Sequence, residues 1–255
     1  MIELFFLPWR DLKRADRACL LALLLMVVVW ILLPVIPQDP AYHRFADQRQ
    51  WLVVPHAADV LSNIAFALVG LVGAVRLASD RRRRFSPSTE ASLWCIVLGL
   101  VLTAAGSAWY HRDPTDATLV WDRLPMTLVF AGVLGATIAQ RVGDQLARVS
   151  LVVLFELGVA SIVYWNMTGD LSLYVTLQFS AIAALVVLLL LVRNPGDPFP
   201  WAWVVAWYVF AKVAEATDAQ VWNATHGFIA GHTLKHLFAA AASAATLWPI
   251  LARRK

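Results

Sequence analysis

Eight apolar stretches follow one another along this chain, and each is close to the ~20 residues that an α-helix needs to cross a bilayer. The breaks between them are short and rich in turn-forming residues, as in Pro37-Gln38-Asp39-Pro40. No break is long enough to form a soluble domain, so the sequence predicts one all-α, polytopic membrane helix bundle over residues 1–255. The predicted spans are 18–36, 58–79, 91–111, 118–140, 149–165, 172–192, 200–222 and 230–251.

The composition excludes the other broad classes of protein. The chain is 60% hydrophobic and 15% charged, whereas a typical soluble domain is about 45–50% apolar and about 25% charged. The two cysteines, Cys19 and Cys95, lie in apolar stretches and allow neither a disulfide framework nor a cysteine-based metal site. A soluble globular protein, a disordered chain and a disulfide-stabilised secreted module are therefore excluded.

Lys and Arg residues are distributed unequally between the loops, which predicts the orientation of the chain in the membrane. One side carries basic residues in several segments: Arg10, Lys13, Arg14 and Arg17 near the N-terminus, then Arg81 to Arg84, Arg141, Arg148, Arg193 and Arg253-Arg254-Lys255. The other side carries only Arg44, Arg49 and Arg112. This bias predicts cytoplasmic termini in a multi-pass protein of what we expect to be a bacterial inner membrane. The first apolar run is too long for a signal peptide, which favours a retained helix. No basic patch is interleaved with aromatic residues, so a nucleic-acid partner is not expected.

Polar and ionisable side chains within the predicted spans are the strongest functional signal in the sequence, because such groups are costly inside a bilayer. They lie near the start of the second, fourth and eighth spans and near the end of the third and seventh spans. With the predicted orientation, all of these positions fall towards the exoplasmic side, whereas chance would scatter them over both leaflets. The residues are Asp59, Ser62, Asn63, Ser107, His111, Asp122, Glu215, Asp218, His232 and His236.

Three of these residues are candidate metal ligands. His232 and His236 are four residues apart and therefore share one helix face, as the histidines of helical zinc sites do. His111, at the end of another span, can supply a third nitrogen. Three protein ligands with an open position are typical of catalytic zinc, which lowers the pKa of a bound water to about 7. Asp122 is placed to orient or deprotonate that water, and Ser107 to hold it or to donate to an oxyanion.

Other interpretations stay open at this point. Glu215 and Asp218 either belong to the site or form ion pairs, for which the partners would be Lys212 or Arg123. Lys235 either extends towards the membrane surface or pairs with an acid. Ser107 and His111 also form the spacing of a nucleophilic dyad, but no orienting acid follows at a suitable distance in the sequence.

The same residues resemble those of a known group of membrane hydrolases, the CREST superfamily. Within that group the chain is most similar to bacterial proteins of the alkaline ceramidase (alkaline phytoceramidase-like) branch. The similarity extends over spans two to eight and includes the stretches Phe45–Arg49, Asp59–Asn63 and Gly231–His236. The defining pattern is Ser62-Asn63, Ser107 followed by His111, then Asp122, and finally His232 followed by His236.

This resemblance implies a seven-helix hydrolase core over residues 58–251, preceded by an extra helix at 18–36. It implies that His111, His232 and His236 hold zinc. It further implies that Ser107 and Asp122 act on the water at that zinc, and that the reaction is hydrolysis of a lipid amide. Cleavage of a ceramide-like lipid would release a long-chain base and a fatty acid.

The loop before the second span departs from the family pattern for calcium binding. Asp47 and Asp59 are present, but residues 48–50 are Gln-Arg-Gln, which are not hard anionic ligands. We therefore expect little dependence on calcium. The polar residues expected to support the histidines or to bind a second cation are Asp47, Asp59, Ser62, Asn63, Glu215 and Asp218.

The leading hypothesis is thus a zinc-dependent hydrolase that cleaves a ceramide-like lipid within the membrane, with the substrate approaching sideways from the outer leaflet. A lipid ester hydrolase or an adiponectin-receptor-like protein is the near alternative. A more distant alternative is a small membrane cytochrome in which two of the histidines ligate haem. A transporter is disfavoured because no polar residues continue across the other half of the bilayer.

Overall fold

The computed structural model describes residues 14–79 and 85–252. Within these two ranges the chain is helical and contains no β-strand, which confirms the all-α prediction there. Several of the basic residues on which the orientation prediction rests lie outside the described residues. These are Arg10, Lys13, Arg81 to Arg84, and Arg253-Arg254-Lys255.

The helices are numbered here in chain order, and a short 3-10 turn at Pro40–His43 precedes the second of them. They are α1 Arg14–Leu32, α2 Ala57–Ser62, α3 Ile64–Ala78, α4 Pro87–Arg112, α5 Asp116–Arg141, α6 Asp144–Thr168, α7 Ser172–Leu191, α8 Trp201–Ala216, α9 Asp218–Ala224, α10 Gly231–Thr246 and α11 Trp248–Leu251.

Five helical segments are long and apolar enough to cross a membrane: α2 with α3, then α4, α5, α6 and α7. Their outward faces carry exposed large apolar side chains such as Leu68, Leu71 and Leu102. In water such a surface would be unfavourable, whereas in a bilayer it contacts lipid. The five segments are consistent with an integral membrane protein.

The other three predicted spans form shorter helices. The apolar part of α1 is Leu21–Leu32. Helices α8 and α10 contain 16 residues each. Helix α8 ends at Thr217, where the backbone leaves helical geometry before α9 begins, and α10 ends at Leu247 before α11.

The bundle is built around α4, which packs along α5 and α3. Helix α6 packs against α5, and α10 packs against α8. Helix α1 lies against α7 at the periphery, where the indole of Trp30 donates a hydrogen bond to the Ser172 hydroxyl at 3.1 Å. Helix α1 is therefore outside the group of helices that surrounds the site described below.

A tight turn between α4 and α5 aligns the ends of these two helices. Pro114 follows α4 and cannot continue it. Thr115 caps α5 by accepting a hydrogen bond from the Thr118 N–H, while the Thr118 hydroxyl accepts from the Thr115 N–H. At Gly106 the two backbones are so close that a Cβ atom would lie 1.9 Å from the Trp121 carbonyl oxygen. The end of α4 and the beginning of α5 consequently lie side by side.

Candidate metal centre

Three imidazoles converge at the end of the bundle where α4 ends and α10 begins. His111 lies in the last turn of α4, and His232 and His236 lie in the first two turns of α10. The ring centroids are 4.8 Å apart for His111 with either partner and 5.0 Å apart for His232 with His236. One ligand nitrogen of each ring lies within 4.8 Å of those of the other two. This proximity agrees with the sequence-based grouping of the three histidines.

The three rings are buried, and several of their nitrogens lack partners. Their exposed fractions are 0% for His111, 5% for His232 and 3% for His236. Both ring nitrogens of His111 and Nε2 of His232 have no hydrogen-bond partner among the described residues. A buried polar atom left in this state costs about 1–3 kcal/mol. Coordination of a metal ion would satisfy one nitrogen of each ring, so the cluster fits a metal site.

Ser62 determines which nitrogen of His236 is free. The Ser62 hydroxyl donates to the Asp59 carbonyl oxygen at 2.9 Å, which uses its one proton. Nδ1 of His236 lies 2.7 Å from the same hydroxyl and must therefore donate to it. The proton is thus held on Nδ1, and Nε2 is left as the ligand atom. Such orientation of a histidine by a partner on its other nitrogen is common at metal sites.

Asp218 and Gly231 position the first turn of α10. The Asp218 carboxylate accepts hydrogen bonds from the backbone N–H of His232 at 2.7 Å and from that of Ala46 at 2.9 Å. It therefore binds an otherwise unpaired N–H at the helix start and ties the loop around Ala46 to it. A Cβ on Gly231 would lie 2.2 Å from the Ala214 carbonyl oxygen. Glycine is thus needed where α10 meets the end of α8.

Phe45 covers the histidines from the loop that precedes α2. Its ring centroid lies 4.6 Å from those of both His111 and His232. Phe66 packs against His236 at 5.9 Å. These apolar rings exclude water and strengthen electrostatic interactions in the site. The contact of Phe45 with the histidines could not be predicted from the sequence, because a loop residue shows no helical periodicity from which its contacts can be inferred.

Asp122 and Ser107 form a polar pair beside the metal cluster. Both side chains are buried, and the Ser107 hydroxyl lies close enough to the Asp122 carboxylate to act as a hydrogen-bond donor to it. Both line the same cavity as His236. The ring nitrogens of His111 have no hydrogen-bond partner in the part of the chain described, so Ser107 and His111 do not form a nucleophilic dyad.

An apolar cavity of about 240 Å³ extends from this polar pair into the bundle. Its wall is formed by α3, α4, α5, α7, α8 and α10, and it follows α10 from His236 as far as Thr246. Helices α7 and α8 share few close backbone contacts, although both line the cavity. The polar side chains at its end nearest the cluster are Ser107, Asp122, Lys235 and His236.

Asp47, in the loop before α2, and Asp59, in α2, accept hydrogen bonds from side chains of the same protein. Arg49 binds both carboxylate oxygens of Asp47, at 2.9 and 2.6 Å. Burial raises the pKa of Asp47, but the hydrogen bonds and charge of Arg49 outweigh it and hold the pKa below its usual value. One carboxylate oxygen of Asp59 accepts a hydrogen bond from the Thr233 hydroxyl at 2.6 Å, and the other has no hydrogen-bond partner among the described residues. The amide of Asn63 donates to the Asp59 carbonyl oxygen at 2.8 Å.

Glu215 forms ion pairs, as one interpretation of the sequence predicted. It pairs with Lys212 on its own helix and with Lys235 on α10, the latter at 2.6 Å. The Tyr42 hydroxyl also donates to it, at 3.2 Å. Arg123 is not its partner, because its guanidinium lies over aromatic rings, 4.7 Å from the centroid of Trp165. Asp218 has no ion pair among the described residues and binds backbone N–H groups instead.

Comparisons with known proteins do not place the chain in a family. No protein-family model matches it, and no curated protein is significantly similar to it. The chemistry of the site therefore has to be inferred from its own residues.

Proposed function

We propose that the protein is a zinc-dependent membrane hydrolase that cleaves the amide bond of a ceramide-like lipid. One observation carries this proposal: three buried imidazoles lie together, nitrogens of His111 and His232 have no partner among the described residues, and His236 lines the polar end of an apolar cavity with Asp122 and Ser107. The resemblance of these residues to the pattern of the alkaline ceramidases points to the same chemistry.

The donor set favours zinc among the common metals. His111, His232 and His236 are three neutral nitrogen ligands, which suit zinc better than magnesium or calcium. Three protein ligands leave a fourth position open, as in catalytic zinc sites. When bound, zinc supplies a Lewis acid that activates water and stabilises negative charge on oxygen.

The protein side chains provide the proton transfers. The Asp122 carboxylate accepts a proton from the attacking water and delivers it to the amine that leaves. The hydrogen bond from Ser107 holds that carboxylate in one orientation. As the carbonyl oxygen becomes negative, the Ser107 hydroxyl is near enough to the reaction centre to donate to it instead. Burial of both residues keeps bulk water away from these steps.

The shape of the cavity fits a lipid substrate. Its long apolar wall suits an acyl chain, and its polar end places an amide beside Asp122. Helices α7 and α8 share few close backbone contacts, and one side-chain hydrogen bond joins them, from Gln178 to Tyr208 at 3.1 Å. Entry of an acyl chain between these helices, beside that hydrogen bond, would keep it within hydrocarbon. An ester of the same shape fits the same geometry and is the near alternative.

The proposal includes an arrangement of eight spans, with an extra α1 before a seven-helix core. Helix α8, with 16 residues, is about 24 Å long, and α9 continues it beyond the break at Thr217. Helices α10 and α11 form the last span in the same way. The Lys and Arg bias then places both termini in the cytoplasm and the metal centre towards the exoplasmic face.

Haem binding is disfavoured by the packing of the histidines. Two axial ligands would have to lie on opposite sides of a porphyrin. Here the three rings contact one another with centroids 4.8 to 5.0 Å apart, and Phe45 packs against two of them.

Metal analysis combined with a hydrolysis assay tests the proposal. Purified protein should contain about one zinc per chain, because the site has one set of three ligands, and it should hydrolyse a fluorescent ceramide. His111→Ala, His232→Ala and His236→Ala should each lose both metal and activity. His226→Asn is the matched control, since this exposed histidine has a φ of 52°, which asparagine tolerates. Retention of zinc by the three alanine variants would show that the site is wrongly assigned.

A further inference from the structure

One cation at the polar end of the cavity has no role in the hydrolysis described above. The Lys235 side chain lines the cavity together with Asp122 and His236. Its ammonium forms an ion pair with Glu215 at 2.6 Å and has no second ion pair or hydrogen bond among the described residues. An ammonium has three N–H donors, so two remain for a ligand in the cavity.

Glu215 is shared between two ammonium groups. It pairs with both Lys235 and Lys212, so within this group of three one negative charge faces two positive charges. The two lysines differ in position: the exposed side-chain fraction is 15% for Lys235 and 43% for Lys212. The excess charge is therefore best neutralised by an anion at Lys235.

We propose that Lys235 is a carboxylate-binding residue and that the cavity binds alkyl carboxylates, with the chain along the apolar wall and the carboxylate at the ammonium. The cavity offers both parts of this ligand, since its charged residues, Asp122 and Lys235, lie at one end and the remainder of its wall is largely apolar. Glu215 holds the ammonium in place, and Tyr42 and Lys212 hold Glu215.

Two sources of the carboxylate are chemically reasonable, and both rest on the proposed function. An N-acyl amino acid carries a carboxylate one carbon from its amide nitrogen, so a substrate of this kind would place it beside the scissile bond. Hydrolysis of any fatty amide also produces a carboxylate, because water adds to the acyl carbon as the C–N bond breaks and the amine leaves with a proton. In the second case Lys235 retains the product.

Ligand binding tests the site without requiring activity. Laurate and dodecanol have the same chain length and differ in charge. The metal-loaded wild-type protein in detergent should bind laurate at least tenfold more tightly than dodecanol, as expected for a hydrogen bond between charged groups. Lys235→Met should lose this preference and still bind dodecanol. Arg148→Met is the matched control, because it also removes a cation that is paired with an acid, Asp144 at 3.7 Å, but it does not line the cavity, and it should keep the preference.

Equal binding of laurate and dodecanol by the wild type would overturn the proposal, and so would an unchanged preference in Lys235→Met. If Lys235→Met fails to bind dodecanol and is therefore misfolded, Lys235→Gln makes the same comparison with a polar, uncharged side chain. All measurements are made at equal metal content, so that a carboxylate bound to metal does not account for the difference.

Hydrolysis of two amides then identifies the source of the carboxylate. N-lauroylglycine and N-lauroylethanolamine share the acyl chain and the amide, but only the first is an anion. If the substrate supplies the carboxylate, KM should be lower for N-lauroylglycine and should rise in Lys235→Met for that amide alone. If the product supplies it, the two amides should have similar KM values and laurate should inhibit both in the wild type. If neither of these amides nor the fluorescent ceramide is cleaved, the proposed function fails, whereas the binding experiment still decides the role of Lys235.

Discussion

The hydroxyl of Ser62 accepts a hydrogen bond from Nδ1 of His236 at 2.7 Å, while its own proton is given to the Asp59 carbonyl oxygen. This arrangement joins the end of α2 to α10 across 174 positions of sequence. It fixes one tautomer of His236 and leaves Nε2 as its ligand nitrogen. The hydroxyl thus acts on the metal centre through a histidine rather than as a ligand.

Ser62→Ala should weaken zinc binding by about 10–100-fold, the usual effect of removing a partner behind a metal-binding histidine. The affinity can be measured by competition with a chromophoric chelator. Ser161→Ala is the matched control, because this buried hydroxyl donates to the Gly158 carbonyl oxygen within α6, away from the site. Unchanged affinity in Ser62→Ala would mean that the Ser62 contact does not determine the tautomer of His236.

Asp122→Asn should keep zinc and lose turnover. The amide can still accept the hydrogen bond from Ser107 but cannot take up a proton, so we expect a decrease in kcat of about 10²–10⁴-fold. Ser107→Ala should reduce kcat less, because the metal also stabilises the developing negative charge. Zinc content and kcat are measured on the same samples. Near-normal turnover by zinc-loaded Asp122→Asn would exclude Asp122 as the base.

Gly106→Ala and Gly231→Ala should each destabilise the protein by about 1–3 kcal/mol or more, since the new methyl group would overlap a neighbouring backbone. The overlapping atoms are the carbonyl oxygens of Trp121 and Ala214, at 1.9 and 2.2 Å. Thermal unfolding in detergent measures the effect, and zinc should be lost at a lower temperature. Gly196→Ala is the control, because its nearest neighbouring atom lies at 3.6 Å. Equal stability of all three variants would contradict the close helix contacts.

Activity should not depend on calcium. Both oxygens of Asp47 are occupied by Arg49, and those of Asp218 by backbone N–H groups of Ala46 and His232. A calcium-selective chelator added under zinc-replete conditions should therefore leave turnover unchanged. Reversible loss of turnover would show instead that Asp47 and Asp59 bind calcium together with backbone carbonyl groups.

The proposed topology predicts the behaviour of reporter fusions. Fusions after residue 45 or residue 170 should be exported, and fusions after Arg84 or Lys255 should be cytoplasmic, because Lys and Arg are concentrated on the second side. Two reporters provide the readouts: an enzyme that is active only after export, and a protein that fluoresces only in the cytoplasm. The opposite pattern would place the metal centre in the inner leaflet.

Part of the site could be predicted because its signals are local. The length and apolarity of the stretches determine helices, and the four-residue spacing places His232 and His236 on one face. His111 could be added because alternating helix directions bring the end of one span near the start of another. These three positions are close together in the structure. The interruptions of the last two spans near residues 217 and 247 could not be located from the sequence. They depend on backbone geometry, which hydropathy does not report.

The sequence by itself determined that the described chain is helical, that much of its outer surface is apolar and which polar residues lie near one end of the bundle. The tertiary structure decided which of those residues touch. In the folded protein, Phe45 packs over the histidines and Lys235 pairs with Glu215. The Asp218 carboxylate accepts a hydrogen bond from the backbone N–H of His232. The physical reason is that helix formation and apolar burial depend on neighbouring residues, whereas a hydrogen bond or ion pair depends on the rotation and spacing of helices far apart in sequence.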